Sequence, residues 1–180
     1  MNMFIDICFP SENEDAFVNT AKRIMTDGLC FVYETLPKDR KNYSIKTYTG
    51  IIAETPKKSG DIIFSNVINK NKRMHFYYDH IPKFNHVLIK NLVMHDKLVG
   101  ISFNFILRLL KDPEKLENLV LFIRLCRKYK AKLFLASFAK TPFELRNKNM
   151  IQSLSHFLGM DTKTQKQALE QLYLFFKPPL

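Results

Sequence analysis

Two hydrophobic rhythms alternate along the 180-residue chain. Short apolar runs read as buried strands, and longer stretches with apolar positions every three or four residues read as amphipathic helices. Met3–Cys8 is a first strand, cut off by Pro10. From Asn13 to Thr26, Ala16, Phe17, Ala21, Ile24 and Met25 share one helical face. Ser11 with Glu14 gives a capping-box start, and Gly28 a stop. Leu29–Tyr33 is a second strand. Strand, helix and strand in this space require a parallel pair joined by a right-handed crossover.

The pattern weakens from Pro37 to Lys58, where Ile51-Ile52-Ala53 is the best strand core. Ile62-Ile63-Phe64 and Met74–Tyr78 are further strands, separated by a basic loop over Asn66–Lys72. The second half is clearer. A helix over Asn85–His95 turns Val87, Leu88, Leu92 and Val93 inward. Leu98–Phe103 is a strand, and Phe105–Leu110 a short helix that carries Arg108. Pro113 opens a helix whose stripe is Leu116, Leu119, Val120, Ile123 and Cys126. Leu133–Ala136 is the last strand. Asn147 caps a helix with Met150, Ile151, Leu154, Phe157 and Leu158 inward, ended by Gly159. Thr162 with Gln165 opens a final helix through Phe175. No repeat or linker interrupts the alternation, which predicts one α/β domain over residues 1–180. Its two candidate forms are an α/β barrel and an open doubly wound sheet. A full eightfold barrel takes about 250 residues, so a barrel here would be trimmed.

Charge narrows the partners. Lys and Arg number 28 against 17 Asp and Glu, a formal net charge of +11. A positive field of that size suits a polyanion, nucleic acid before anionic membrane. Cys8, Cys30 and Cys126 all lie in apolar runs, with no CxxC pair, and read as small core residues in a reducing compartment. No apolar run approaches the roughly 20 residues of a membrane span. The N-terminus has no basic, then apolar, leader pattern. A soluble, cytoplasmic protein is expected.

Catalytic patterns are missing. His75, Asp79, His80, His86, His95 and Asp96 cluster in sequence, but without metal-ligand spacing. There is no GxSxG, and Ser137 has no histidine near it in sequence. Five glycines build neither GxGxxG nor a P-loop. What remains is basic. Lys140 and Arg146 flank a Pro-led turn beyond the last strand, with Lys148 just after it. Arg108 follows the preceding strand, and Lys72 and Arg73 precede another. In a parallel sheet, Arg108, Lys140 and Arg146 fall near one rim, and such a rim suits an RNA backbone. The structural alternative for Arg146 is pairing with Glu144 or capping backbone carbonyls. Phe138 and Phe143 can stack on bases, but core packing is their expected role.

The stretch from Asn85 to Leu172 resembles the ribonuclease P protein component 3 family of archaea, counterpart of the thirty-kilodalton subunit of eukaryotic ribonuclease P. The resemblance runs through Asn85-His86-Val87-Leu88, Gly100-Ile101-Ser102-Phe103 with Leu107-Arg108, and Leu119–Tyr129. Its most specific part is Ala136-Ser137-Phe138-Ala139-Lys140 to Arg146, continuing to Leu158-Gly159-Met160. The resemblance implies a TIM-barrel-like fold related to polymerase-and-histidinol-phosphatase domains. It implies a ribonucleoprotein that removes the 5′ leader of precursor tRNA, an endonuclease whose catalysis rests in its RNA and needs Mg2+. It also implies a partner, ribonuclease P protein component 2, in a heterodimer or heterotetramer. No cofactor is expected in the protein. The related metallophosphatases end their first strand in two histidines, where this chain reads Asp6-Ile7-Cys8. The alternative reading is a metal-dependent phosphoesterase using Asp6, His75 and Asp79.

Overall fold

The structure is a computed structural model and describes residues 4–38, 41–52, 62–65, 74–78, 86–163, 165–167 and 169–170. Strands β1 (Ile5–Cys8), β2 (Gly28–Tyr33), β3 (Lys46–Ile52), β4 (Ile62–Ser65), β5 (Met74–Tyr78), β6 (Leu98–Ser102) and β7 (Lys132–Ala136) form one sheet in sequential order. Every neighbouring pair is parallel. The helices are α1 (Glu14–Arg23), α2 (His86–Met94), α3 (Phe103–Leu109), α4 (Pro113–Lys128) and α5 (Lys148–Phe157). A strand order that never reverses puts right-handed crossovers on one face of the sheet. The doubly wound alternative is thereby excluded, because it needs a reversal.

That topology leaves the other face to cover itself. It does so by curling: Ile5, Ile7, Cys30, Val32, Phe64, Phe134, Ala136 and Phe138, from both halves of the sheet, share one buried cluster. The outer face packs on helices. Phe4, Val99, Ile101, Leu133 and Leu135 meet Ile89, Phe122, Ile123 and Ile151, while Leu29 and Phe31 meet Phe17, Val18 and Ala21 of α1. Covered on both faces, β1 and β6 are buried at every position.

The sheet does not close into the expected trimmed barrel. β1 pairs only with β2 and β7 only with β6 among the described residues. The two edges meet at one isolated bridge, Cys8 to Ala139. The reason is local. After Ala136 the chain leaves strand geometry, and Phe138 takes a left-handed φ of 46°. A ladder cannot run through that kink, which costs an L-residue about 1–2 kcal/mol. The Phe138 ring makes the kink tolerable. It lies 5.9 Å from Phe64, 6.1 Å from Phe134 and 6.2 Å from Phe9, ring centre to ring centre, and burial of a ring that size is worth about 2–3 kcal/mol.

Several boundaries shift from expectation. α1 stops at Arg23 and the chain turns at Met25, with a φ of 57°. Gly28 therefore starts β2 instead of ending the helix. A Cβ there would lie 2.9 Å from the Lys46 carbonyl oxygen of β3, so the glycine serves close strand approach. Ser11 does not cap α1. Asn13 holds the N-cap position, and its side chain accepts from the Ser11 amide. On α2 the buried positions are Ile89 and Leu92, with Val87 and Val93 facing water. On α5, Ile151 is buried, but Met150 and Phe157 are exposed. The basic loop expected over Asn66–Lys72 and part of the final helix lie outside the described residues. The cysteines are free and buried, as expected.

Gly100 tests the concave packing. A Cβ there would sit 2.6 Å from the Phe134 ring and 2.7 Å from the Phe138 ring. Gly100→Ala should therefore destabilise the chain by about 1–3 kcal/mol, read as a lower melting temperature. An unchanged melting temperature would mean that the rings do not pack over β6 as described.

Candidate functional site

Asp6 is the lone charged residue in β1 and is fully buried. Its Oδ1 accepts from the Ile7 amide at 2.9 Å and from the Ser137 amide at 2.7 Å. Oδ2 finds no hydrogen-bond partner among the described residues. Burial pushes the carboxyl up to about 6, with hydrogen bonds from Ser137 and Ile7 opposing the rise. Beside it, the Ala139 amide donates to the Ile7 carbonyl at 3.0 Å, and the Phe9 amide to the Ala139 carbonyl at 2.8 Å. The two sheet edges are thus joined by a side chain and a single bridge.

Ser137 extends the network toward the surface. Its carbonyl accepts from Asn104 Nδ2 at 2.8 Å and from Ser102 Oγ at 3.3 Å. Its Oγ accepts from the Arg146 amide at 2.9 Å. Asn104 Nδ2 also donates to the Glu144 carbonyl at 3.1 Å. Both ends of the loop between Ser137 and Arg146 are therefore fixed to the C-terminal end of β6 and the start of α3. Inside the loop, Pro142–Glu144 form a 3-10 turn. The Glu144 carboxylate accepts from the amides of Lys140 at 2.6 Å and Thr141 at 3.2 Å, an N-terminal anchor expected of a glutamate three residues past the cap. Arg146 Nη1 donates to the carbonyls of Phe143 at 2.7 Å and Leu145 at 2.9 Å, and the guanidinium lies 5.6 Å over the Phe103 ring.

This rigid loop displays two expected site residues. Lys140 is exposed and makes no ion pair among the described residues. Its side also borders a cavity of about 550 Å³ over the C-terminal ends of β1, β2 and β3, lined by Phe9, Ser11, Tyr33 and Glu34. Arg146 is half-buried and caps carbonyls within the loop; its bonds to the turn leave the Glu144 carboxylate to the backbone. Lys148 begins α5, half-buried. Arg108 is exposed in the last turn of α3, its guanidinium 5.8 Å over Phe105. The helical rise sets it roughly 9 Å along the axis from Ser102. Lys72 and Arg73 lie outside the described residues. Phe143 corrects an expectation: it is 90 % exposed, not in the core, whereas Phe138 is buried.

Nucleophile and metal chemistry find little here. Burial pushes the Cys8 and Cys126 thiols up, which keeps them protonated. Among the described residues, no group of three or more His, Cys, Asp or Glu is placed to hold a metal ion. Asp6 already spends Oδ1 on two amides. Asp79 and the side chain of His75 lie outside the described residues.

No family model matches the chain. No curated protein matches it in sequence either. In structure it is similar to a chain in a cryo-EM structure of archaeal ribonuclease P with mature tRNA. The TM-score is 0.70 at 16 % identity, over 95 % of this chain and 89 % of that one. At that identity the likeness establishes a shared fold. Among the described residues, no helix is long and apolar enough to cross a membrane.

The buried carboxylate gives a pH test. The Asp6 value in the fold, about 6, lies above the ordinary 3.8, so the folded chain holds an extra proton between those values. Its stabilising contribution is complete below about pH 4 and is lost as pH rises through about 6. The gap corresponds to about 3 kcal/mol. Asp6→Asn should flatten the stability-versus-pH curve across that window in denaturant titrations. An Asn variant that keeps the parent's slope would show that another group titrates. Asp6→Ala should cost about 2–4 kcal/mol below about pH 4, because it orphans the Ile7 and Ser137 amides. The cost should shrink as pH rises through about 6, because the variant has no carboxylate to ionise in the core.

Proposed function

We propose that this chain is a protein subunit of ribonuclease P, the ribonucleoprotein that removes the 5′ leader of precursor tRNA. The fold likeness over nearly the whole chain to a chain of archaeal ribonuclease P carries the reading. The loop chemistry supports it independently. A rigid turn at the end of the last strand offers an exposed lysine and an arginine, and the chain carries a net charge of +11. Positioned cations of this kind suit phosphates recognised by shape and charge.

In this reading the chain belongs to the component 3 type and works with ribonuclease P protein component 2. It binds and shapes the catalytic RNA, and the RNA with its Mg2+ performs the cleavage. Lys140, Arg146, Lys148 and Arg108 contact the RNA backbone, with Lys72 and Arg73 as further contacts. Arg146 has a double task, since the same guanidinium that meets phosphate also anchors the turn.

Reconstitution tests the reading. Cleavage of precursor tRNA by ribonuclease P RNA with its partner proteins should rise when the chain is added. No rise, with no salt-dependent affinity for that RNA, contradicts the proposal. Lys140→Ala should weaken RNA binding and lower the slope of log affinity against log salt by about one phosphate contact. Its melting temperature should not move, because the ammonium makes no ion pair among the described residues. A folded Lys140→Ala that binds like the parent removes Lys140 from the interface.

A further inference from the structure

Phe143 is the most exposed aromatic among the described residues. A single exposed apolar side chain is ordinary at a protein surface; this one is set apart by its mount and by the cations beside it. The mount is unusually well fixed for a surface loop. Pro142 sets its own φ. The Glu144 carboxylate holds the amides of Lys140 and Thr141, and Arg146 Nη1 holds the carbonyl of Phe143 itself. The Phe143 backbone is therefore already in place before any ligand arrives, which lowers the entropic cost of binding.

The surroundings of the ring select the ligand. Lys140 stands three residues before it and Arg146 three after, both at the ends of the same turn. A protein partner's apolar patch would be poorly served by an exposed ammonium at the edge of the contact. An unpaired nucleotide fits both parts: its base offers a flat π-face to the ring, and its phosphates meet the cations.

We propose that Phe143 stacks on an unpaired base of a bound RNA while Lys140 neutralises an adjacent phosphate. The inference deepens the ribonuclease P reading and rests on the chain binding RNA. It assigns the loop a preference for single-stranded or bulged RNA over continuous duplex.

The test uses the full chain, a short single-stranded oligouridine and a blunt RNA duplex, with anisotropy titrations over a salt series. Phe143→Ala should weaken binding of the single strand about tenfold or more and change duplex binding little. The salt slope should stay that of the parent, because the lost contact carries no charge. Phe143→Trp should restore affinity, and Phe143→Leu should not, since it keeps an apolar side chain without a ring. Melting temperatures should match throughout, because the ring contributes little to the fold. Parent-like single-strand binding by Phe143→Ala or Phe143→Leu overturns the stacking role and leaves RNA binding by the chain intact. A parent that binds neither RNA overturns both. If Phe143→Ala binds RNA normally but no longer stimulates cleavage of precursor tRNA, the ring belongs to a protein interface and the proposal fails.

Discussion

The hydrogen bond from the Ser137 amide to the Asp6 carboxylate joins the first strand to the segment after the last, across 131 positions of sequence. Much of the site depends on it. The sheet is wound in one direction, so its two edges approach each other with the concave core between them. A continuous ladder would close that gap. Here the chain kinks at Phe138 instead, and a buried carboxylate replaces the missing backbone pairing. Burial of the charge is unfavourable, as the raised pKa of the carboxyl records. It is tolerated because Oδ1 satisfies two amides that the kink would otherwise orphan.

From that contact the order of the surface loop follows. Ser137 is fixed by Asp6 on one side and by Asn104 and Ser102 on the other. Its hydroxyl then holds Arg146, and Asn104 reaches on to Glu144. The buried network thus ends at the two residues that shape the turn. Lys140 and Phe143 are the groups this arrangement leaves facing water. The polar groups of the network are thus spent on the structure, while a cation and a ring are left at the surface. Here the strongly perturbed carboxylate is sealed inside.

Much of the framework is legible in the sequence because it is local. Asn147 caps α5 through the Met150 amide, as its position ahead of an apolar stripe suggests, and Pro113 opens α4. The strands announce themselves as apolar runs. What depends on distant partners is not legible. The face α2 buries is rotated from the pattern's best guess, because Ile89 is as apolar as its neighbours and only the sheet decides among them. Met150 and Phe157 share the helical face of α5 with core residues, yet lie at its margins. The barrel expected from family resemblance fails at Phe138, whose left-handed backbone no sequence rule assigns to a phenylalanine. Lys140 and Arg146 stand out as cations at a strand end, but the anchoring of Arg146 to Phe143 requires the fold. Asp6 carries a signal that is easy to pass over: one acid inside an otherwise apolar strand calls for a buried donor.

If the loop serves a ribonuclease P RNA, as proposed, that RNA should travel with the protein. The most direct measurement is sequencing of the RNA that co-purifies with the tagged chain from its own cells, after stringent washing. Strong enrichment of ribonuclease P RNA over ribosomal and transfer RNA is the predicted result. Recovery of RNA in proportion to cellular abundance, or of none, would rule out the proposed role of the loop.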